Sequence, residues 1–285
     1  MHLLCWWWCI QVVSAFGFLG HRLVASLAWD LLSPRVRSGC LGLTDRSVFV
    51  RLACLPDLIK HKPGMEWAQP LHFYNTQDYP PYYCETAAEM NDDWQAGPNL
   101  IQAVHNYTRR FGEAVIQSCP IQDASVLSFL VHFMTDLHQP LHLSSRKKGG
   151  NRWRILFEGR PTSLHALWDT GLLLRFMRLT SKPRIRLILA KRMKRLMSTQ
   201  QKQGRRLHRD DTLMAWAAQT NSANCKVVWS GLDFEDHSDD LTSKYYRQSI
   251  STLLDLVVLA AFRIAALLDQ ICQENCALGG SEVSE

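Results

Sequence analysis

Apolar side chains recur every three to four residues through most of this chain, the period of helices that bury one face. Segment 20–32 presents Leu23, Val24, Leu27 and Leu31, and segment 99–111 presents Leu100, Val104, Tyr107 and Phe111. Segments 123–137, 163–177, 211–228 and 244–271 carry the same stripe. One stretch alternates instead: Trp153, Ile155 and Phe157 interleave with charged residues just after Gly149-Gly150, which predicts a short hairpin. Pro63-Gly64, Pro80-Pro81 and Gly97-Pro98 mark loops. The run 253–268 is strongly apolar but carries Asp255 and Arg263, so it reads as an amphipathic core helix and not a membrane anchor. With no repeat and no linker, the pattern predicts a mainly α, single-domain, multi-helix fold over residues 16–276 with one short β-hairpin.

Composition refines this picture. A chain of 285 residues, 47% of them hydrophobic, suffices for one large core. At the N-terminus, the apolar run 3–13 is too short to span a bilayer, and Val13-Ser14-Ala15 has the small residues that a signal peptidase prefers. The expectation is a signal peptide over 1–15, a mature chain starting at Phe16, and a secreted or lumenal protein. Residues 277–285 are polar and read as a disordered tail. Beyond the leader stand Cys40, Cys54, Cys84, Cys119, Cys225, Cys272 and Cys276. The number is odd, so at least one thiol is unpaired or pairs between chains, and spacing does not give the connectivity. Asn106-Tyr107-Thr108 is a glycosylation sequon that only the secretory route would use.

Net charge is +6, and residues 175–209 hold thirteen Lys or Arg and no Asp or Glu. Such a run is a solvated helix face or mobile insertion, or else a surface that attracts a polyanion.

Chemistry enters with the histidines and aspartates. His132/Asp136 and His165/Asp169 are each spaced i,i+4, which puts an imidazole and a carboxylate on one helix face, one turn apart. His142 follows closely, after Gln139-Pro140, where proline ends the helix. His21, Asp57 and His72 lie in similarly apolar surroundings. Buried imidazoles and carboxylates are costly unless paired, and these are too many to pair only with one another. A polynuclear zinc site is the reading that satisfies them.

These residues sit in blocks: Phe16-Gly-Phe-Leu-Gly-His21, Pro56-Asp57, Leu71-His72-Phe73, and Phe129 through Asp136 with Gln139-Pro140-Leu141-His142. Gly149-Gly150-Asn151 and Leu164-His165-Ala-Leu-Trp168-Asp169 follow. In this order they resemble the zinc-dependent class I nucleases, the single-strand-specific nucleases and 3′-nucleotidases, whose fold is shared with zinc phospholipase C. The resemblance implies three zinc ions. Asp57, His72, His132 and Asp136 would hold one; His142, His165 and Asp169 a second; His21, Asp136 and the backbone amine and carbonyl of Phe16 a third. It implies hydrolysis of single-stranded RNA or DNA to 5′-phosphates, and of 3′-nucleotides, by attack of a metal-activated hydroxide. Asp57 and Asp136 would be the catalytic carboxylates. Phe73 would stack on a base, Lys60 would face the phosphate, and Cys84 and Cys225 would form a disulfide. No obligate protein partner is implied. Two departures stand out. Phe16 replaces the family's usual Trp, and Asn75 stands where many members have Asp and can bind substrate only through hydrogen bonds. The competing readings are a zinc phospholipase C and a catalytically weakened zinc- or nucleic-acid-binding protein.

Overall fold

The computed structural model describes residues 17–90, 97–201, 210–232, 234 and 240–276. The leader segment, Phe16 and the tail lie outside them. Ten helices in the described residues are α1 (Gly17–Leu31), α2 (Arg46–Leu52), α3 (Leu55–Ile59), α4 (Leu100–Gln117), α5 (Ala124–Asp136), α6 (Leu164–Ala166), α7 (Leu172–Leu179), α8 (Lys182–Gln201), α9 (Asp210–Ala223) and α10 (Lys244–Asn275). A single antiparallel hairpin pairs β1 (Arg154–Phe157) with β2 (Arg160–Ser163). Its two-residue turn, Glu158-Gly159, has positive φ at both positions, the geometry that matches strand twist.

Helix α10 is the central post. It packs against α1, α4, α5, α7 and α8. Its length and composition would allow it to cross a membrane, yet 67% of its most apolar window is buried inside this fold. Asp255 is exposed, whereas Arg263 is buried. Asn99 and Asp123 start α4 and α5 by accepting hydrogen bonds from the backbone N–H of Ile101 and Ser125. All of α5 from Val126 to Asp136 is buried, so its polar residues are placed inside the protein by the apolar ones around them.

The basic run 175–209 resolves in part. Residues 182–201 form α8, anchored through Ile185, Ile188, Met193 and Leu196 on the core while Lys182, Arg184, Arg186, Lys191, Lys194 and Arg195 face outward. It is therefore a helix with a solvated basic face, and 202–209 lie outside the described residues. Three disulfides cross-link the fold: Cys40–Cys272, Cys84–Cys225 and Cys119–Cys276. Cys54 is the buried free thiol among the described residues.

Candidate metal centre

Seven short elements bring the eight predicted side chains to one place. His21 comes from α1, Asp57 from α3, and His72 from the end of a 3₁₀ turn, Glu66–His72. His132 and Asp136 come from the last turns of α5, and His142 from the 3₁₀ turn Pro140–Leu143 that follows. His165 lies in α6. Asp169 sits in a π-helical turn, Leu167–Gly171, between α6 and α7. Such wide turns re-aim side chains and recur at functional sites. None of the eight is more than 8% exposed.

Asp136 is the hub. Its Oδ1 lies 3.3 Å from both His21 Nε2 and His142 Nδ1, and its Oδ2 lies 3.3 Å from His132 Nε2. Asp57 stands 3.7–3.9 Å from the Nε2 atoms of His132, His72 and His21. Asp169 lies 3.1 Å from His165 Nε2 and 3.6 Å from His142 Nε2. Ligand atoms compatible with a cation therefore gather in overlapping groups: His21, Asp57 and His132; His72, His132 and Asp136; and His142, His165 and Asp169.

The orientation of the rings explains why their nitrogens point inward. His72, His132 and His165 each place Nδ1 2.7–2.8 Å from a backbone carbonyl, of Ala68, Ala53 and Gly149 respectively. A carbonyl only accepts, so Nδ1 carries the proton and Nε2 offers a bare lone pair. Inside the centre, His72 Nε2, His132 Nε2, His142 Nδ1 and both oxygens of Asp136 are buried with no hydrogen bond from a described residue. Five orphaned polar atoms in one cluster would be expensive to bury. Two atoms bound tetrahedrally to one zinc at about 2.0–2.1 Å stand about 3.3 Å apart. The separations of 3.1–3.3 Å at Asp136 and between His165 and Asp169 match that spacing, those to Asp57 and between His142 and Asp169 are a few tenths of an ångström wider, and the N, O donor set suits zinc.

Electrostatics prepares the same atoms. Burial drives the His72 imidazole down to about 3, with His132 adding to the effect, so the ring is neutral. Burial and His132 likewise lower His21, whose ring stacks on His132 with centroids 4.0 Å apart. Burial opposes ionisation of Asp136, but the imidazoles of His132 and His142 outweigh it and hold the carboxyl well below its ordinary range. For Asp169, burial is outweighed in the same way by His165 and His142. Burial also opposes protonation of His132 and His142, but Asp136 outweighs it, raising His132 and pushing His142 up to about 9, so a cation binding at these two rings has to displace protons.

The other predicted positions are distributed around this centre. Lys60 is buried, its ammonium 2.6 Å from Asp57 Oδ1, so it is no free surface lysine. Phe73 follows His72 with its ring 43% exposed. Its backbone carbonyl accepts from Leu100 N, and Tyr74 N donates to His142 O. Asn75 is half-buried. Asn106 is exposed on α4. Cys84 and Cys225 are bonded. Phe16 lies outside the described residues, but Gly17 follows it at φ +53°, packed so that a Cβ would stand 2.9 Å from the carbonyl oxygen of Asp169. The chain thus enters the fold beside the third group of ligands.

Sequence reasoning does not reach Gln139, whose amide donates to Asp169 Oδ1 at 2.6 Å and accepts from Leu141 N. Nor does it reach the orienting carbonyls. Gly149 carries one of them at φ +58°, and a Cβ there would sit 2.6 Å from Leu141 O. Gly149→Ala is therefore expected to shift the carbonyl that orients His165 and to lower zinc retained after dialysis several-fold, in the range of outer-shell substitutions of about 10–100-fold in affinity. Zinc retention equal to that of the unaltered protein would contradict this.

Sequence comparison agrees with this geometry. The S1/P1 Nuclease family model matches residues 16–273. Nuclease S1 of Aspergillus oryzae is 30% identical over 281 residues, 93% of this chain and 94% of that protein. Nuclease P1 of Penicillium citrinum is 30% identical over 268 residues, 90% of this chain and 97% of that protein. Endonuclease 2 of Arabidopsis thaliana is 27% identical over 56% of this chain and 57% of its own.

Proposed function

The chain belongs to the S1/P1 nuclease family, and we propose that it is a secreted, zinc-dependent nuclease. It hydrolyses phosphodiester bonds of single-stranded RNA or DNA to leave 5′-phosphates, and removes phosphate from 3′-nucleotides. The observation that carries the zinc reading is the set of buried, hydrogen-bond-free ligand atoms in the centre. Three ions would be held: one by Asp57, His72, His132 and Asp136, one by His142, His165 and Asp169, and one by His21, Asp136 and the backbone amine and carbonyl of Phe16. Bound zinc supplies Lewis acidity and a hydroxide nucleophile near neutral pH.

The remaining work belongs to the chain. Asp57 and Asp136, kept ionised by the imidazoles around them, orient the attacking oxygen and join the ligand groups. Lys60, already beside Asp57, offers a cation to a phosphate oxygen. Asn75 can donate to or accept from a substrate hydroxyl, without adding charge. The three disulfides support folding in an oxidising compartment, as does the leader-like start. An α-amine at Phe16 becomes available only after the leader is cut, which would couple secretion to activity.

Phe73 presents an exposed ring next to His72, and the peptide unit that follows it is hydrogen-bonded at both its carbonyl and its N–H. Stacking on a base is worth about 1–3 kcal/mol and is open to any unpaired base. Phe73→Ala is expected to raise KM for a single-stranded oligonucleotide roughly 10-fold with kcat less affected, and to narrow the preference over duplex. An unchanged KM would remove the ring from substrate binding.

The test of the whole reading uses secreted protein beginning at Phe16. It should release 5′-mononucleotides from single-stranded RNA, lose that activity in EDTA, and regain it with zinc. A zinc-loaded protein that releases none overturns the proposal.

A further inference from the structure

Away from the ligand cluster, a cavity of about 780 Å³ opens between α8, α9 and α10. None of the eight ligand residues lines it. Among its lining residues is Arg263, which is only 6% exposed. One guanidinium nitrogen donates to His138 Nε2 at 2.9 Å, and another donates to the side-chain oxygen of Gln219. The guanidinium also sits 4.6 Å from the ring of Trp216. All three partners are neutral. His138 Nδ1 lies 2.7 Å from the backbone carbonyl oxygen of Met134, which can only accept, so that nitrogen carries the ring proton and Nε2 acts as the acceptor. Among the described residues no carboxylate pairs with Arg263. A buried charge held only by neutral dipoles is an unusual expense, and an arriving anion would relieve it.

The rest of the cavity has the same bias. Arg195 and Lys226 line it without an ion pair among the described residues, while its one acidic side chain, Asp255, is already engaged by Arg192. Three cations with no carboxylate partner among the described residues thus line one space, which suits a doubly charged head group. Guanidinium in particular matches phosphate oxygens in a bidentate fork. Between the cations the walls are apolar and aromatic, with Trp216, Val227 and Leu259. The volume falls in the range of small-molecule sites, and is too small for a folded partner.

We propose that this cavity is a second ligand site, separate from the metal centre, that binds a small phosphomonoester with its phosphate on Arg263, Arg195 and Lys226 and its organic body against Trp216. The phosphate assignment stands on the cations alone; the choice of a nucleotide as probe rests on the nuclease reading. The experiment is calorimetric titration of zinc-loaded, leader-cleaved protein with 5′-AMP, with inorganic phosphate and with adenosine, repeated on the Arg195→Ala/Lys226→Ala protein. Both substituted side chains are exposed, so folding is checked simply by an unchanged thermal melt.

The expected result is two binding events for 5′-AMP in the unaltered protein. One of them should weaken at least 10-fold in the double variant, with hydrolysis of a short oligonucleotide unchanged. Adenosine should not bind at the second site, and phosphate should bind there more weakly than 5′-AMP. A single binding event, or two events indifferent to the double substitution, would overturn the site. Equal affinity for phosphate and 5′-AMP would overturn the organic ester as its ligand. Because binding is read and not turnover, a protein with no nuclease activity could still show the second event, and the two proposals fail separately.

Discussion

Asp136→Ala is expected to reduce hydrolysis of single-stranded RNA at least a thousandfold and to strip most of the zinc from the protein. The size of the effect follows from position. One carboxylate reaches His21, His132 and His142 at 3.3 Å, so it belongs to more than one ligand group at once. Its loss leaves neighbouring imidazoles facing a fully buried gap, and breaking a buried charge network by removing one partner typically costs about 3–5 kcal/mol. Asp136→Asn separates shape from charge. It keeps the volume and one oxygen but supplies no negative charge to hold two cations together, so zinc content should fall nearly as far. Elemental analysis of dialysed protein, alongside oligonucleotide turnover, reads both effects. An Asn variant with full zinc and near-normal turnover would show that the carboxylate is not the joint between sites.

The second large effect concerns stability. Cys40–Cys272 closes a span of 232 residues, tying the π-helical turn after α1 to the last turns of α10. Nearby, Cys119–Cys276 ties the same end of α10 to the loop after α4. With that second bridge intact, removing the first reopens an effective loop of only about 80 residues, for which chain entropy predicts about 4 kcal/mol. The paired substitution Cys40→Ala/Cys272→Ala should therefore lower Tm under non-reducing conditions by on the order of 10 °C. Removing both bridges should cost more than either alone, because the α10 terminus is then held by packing only. A paired variant that melts with the unaltered protein would show that the bridge constrains nothing that folding needs.

Much of this architecture can be read from residue types. The stripes at 20–32, 99–111, 123–137 and 244–271 became α1, α4, α5 and α10, because buried faces on helices leave a period in the sequence. His132/Asp136 and His165/Asp169 could be paired on paper for the same reason, although the second pair spans a turn from α6 into a π-helical segment. The rest is invisible for identifiable causes. The carbonyls of Ala53, Ala68 and Gly149 orient three imidazoles, and a backbone oxygen has no residue-type signature. Gln139 looks like any polar residue before a proline until Asp169, thirty positions on, folds back to it. Helix α8 carries a true apolar stripe through Ile185, Ile188, Met193 and Leu196, but seven interspersed cations dominate its composition. Arg263 reads as a blemish in an apolar run, and only packing reveals that its charge has been taken inside. Two of the three disulfides depend on where α10 ends in space, which spacing cannot encode.

The place of α10 in the chain also sets a schedule. A ribosome has added every one of the eight centre-forming side chains by residue 169, yet the helix that α1, α4, α5 and α7 lean on begins only at Lys244. Cys272 and Cys276, the anchors of two bridges, come later still. Contacts this distant along the chain close late. The last of the eight side chains is therefore made 75 residues before the helix that frames them begins, and assembly of the centre waits on α10. A message truncated before codon 244 would yield a chain with all eight centre-forming side chains and no frame to hold them.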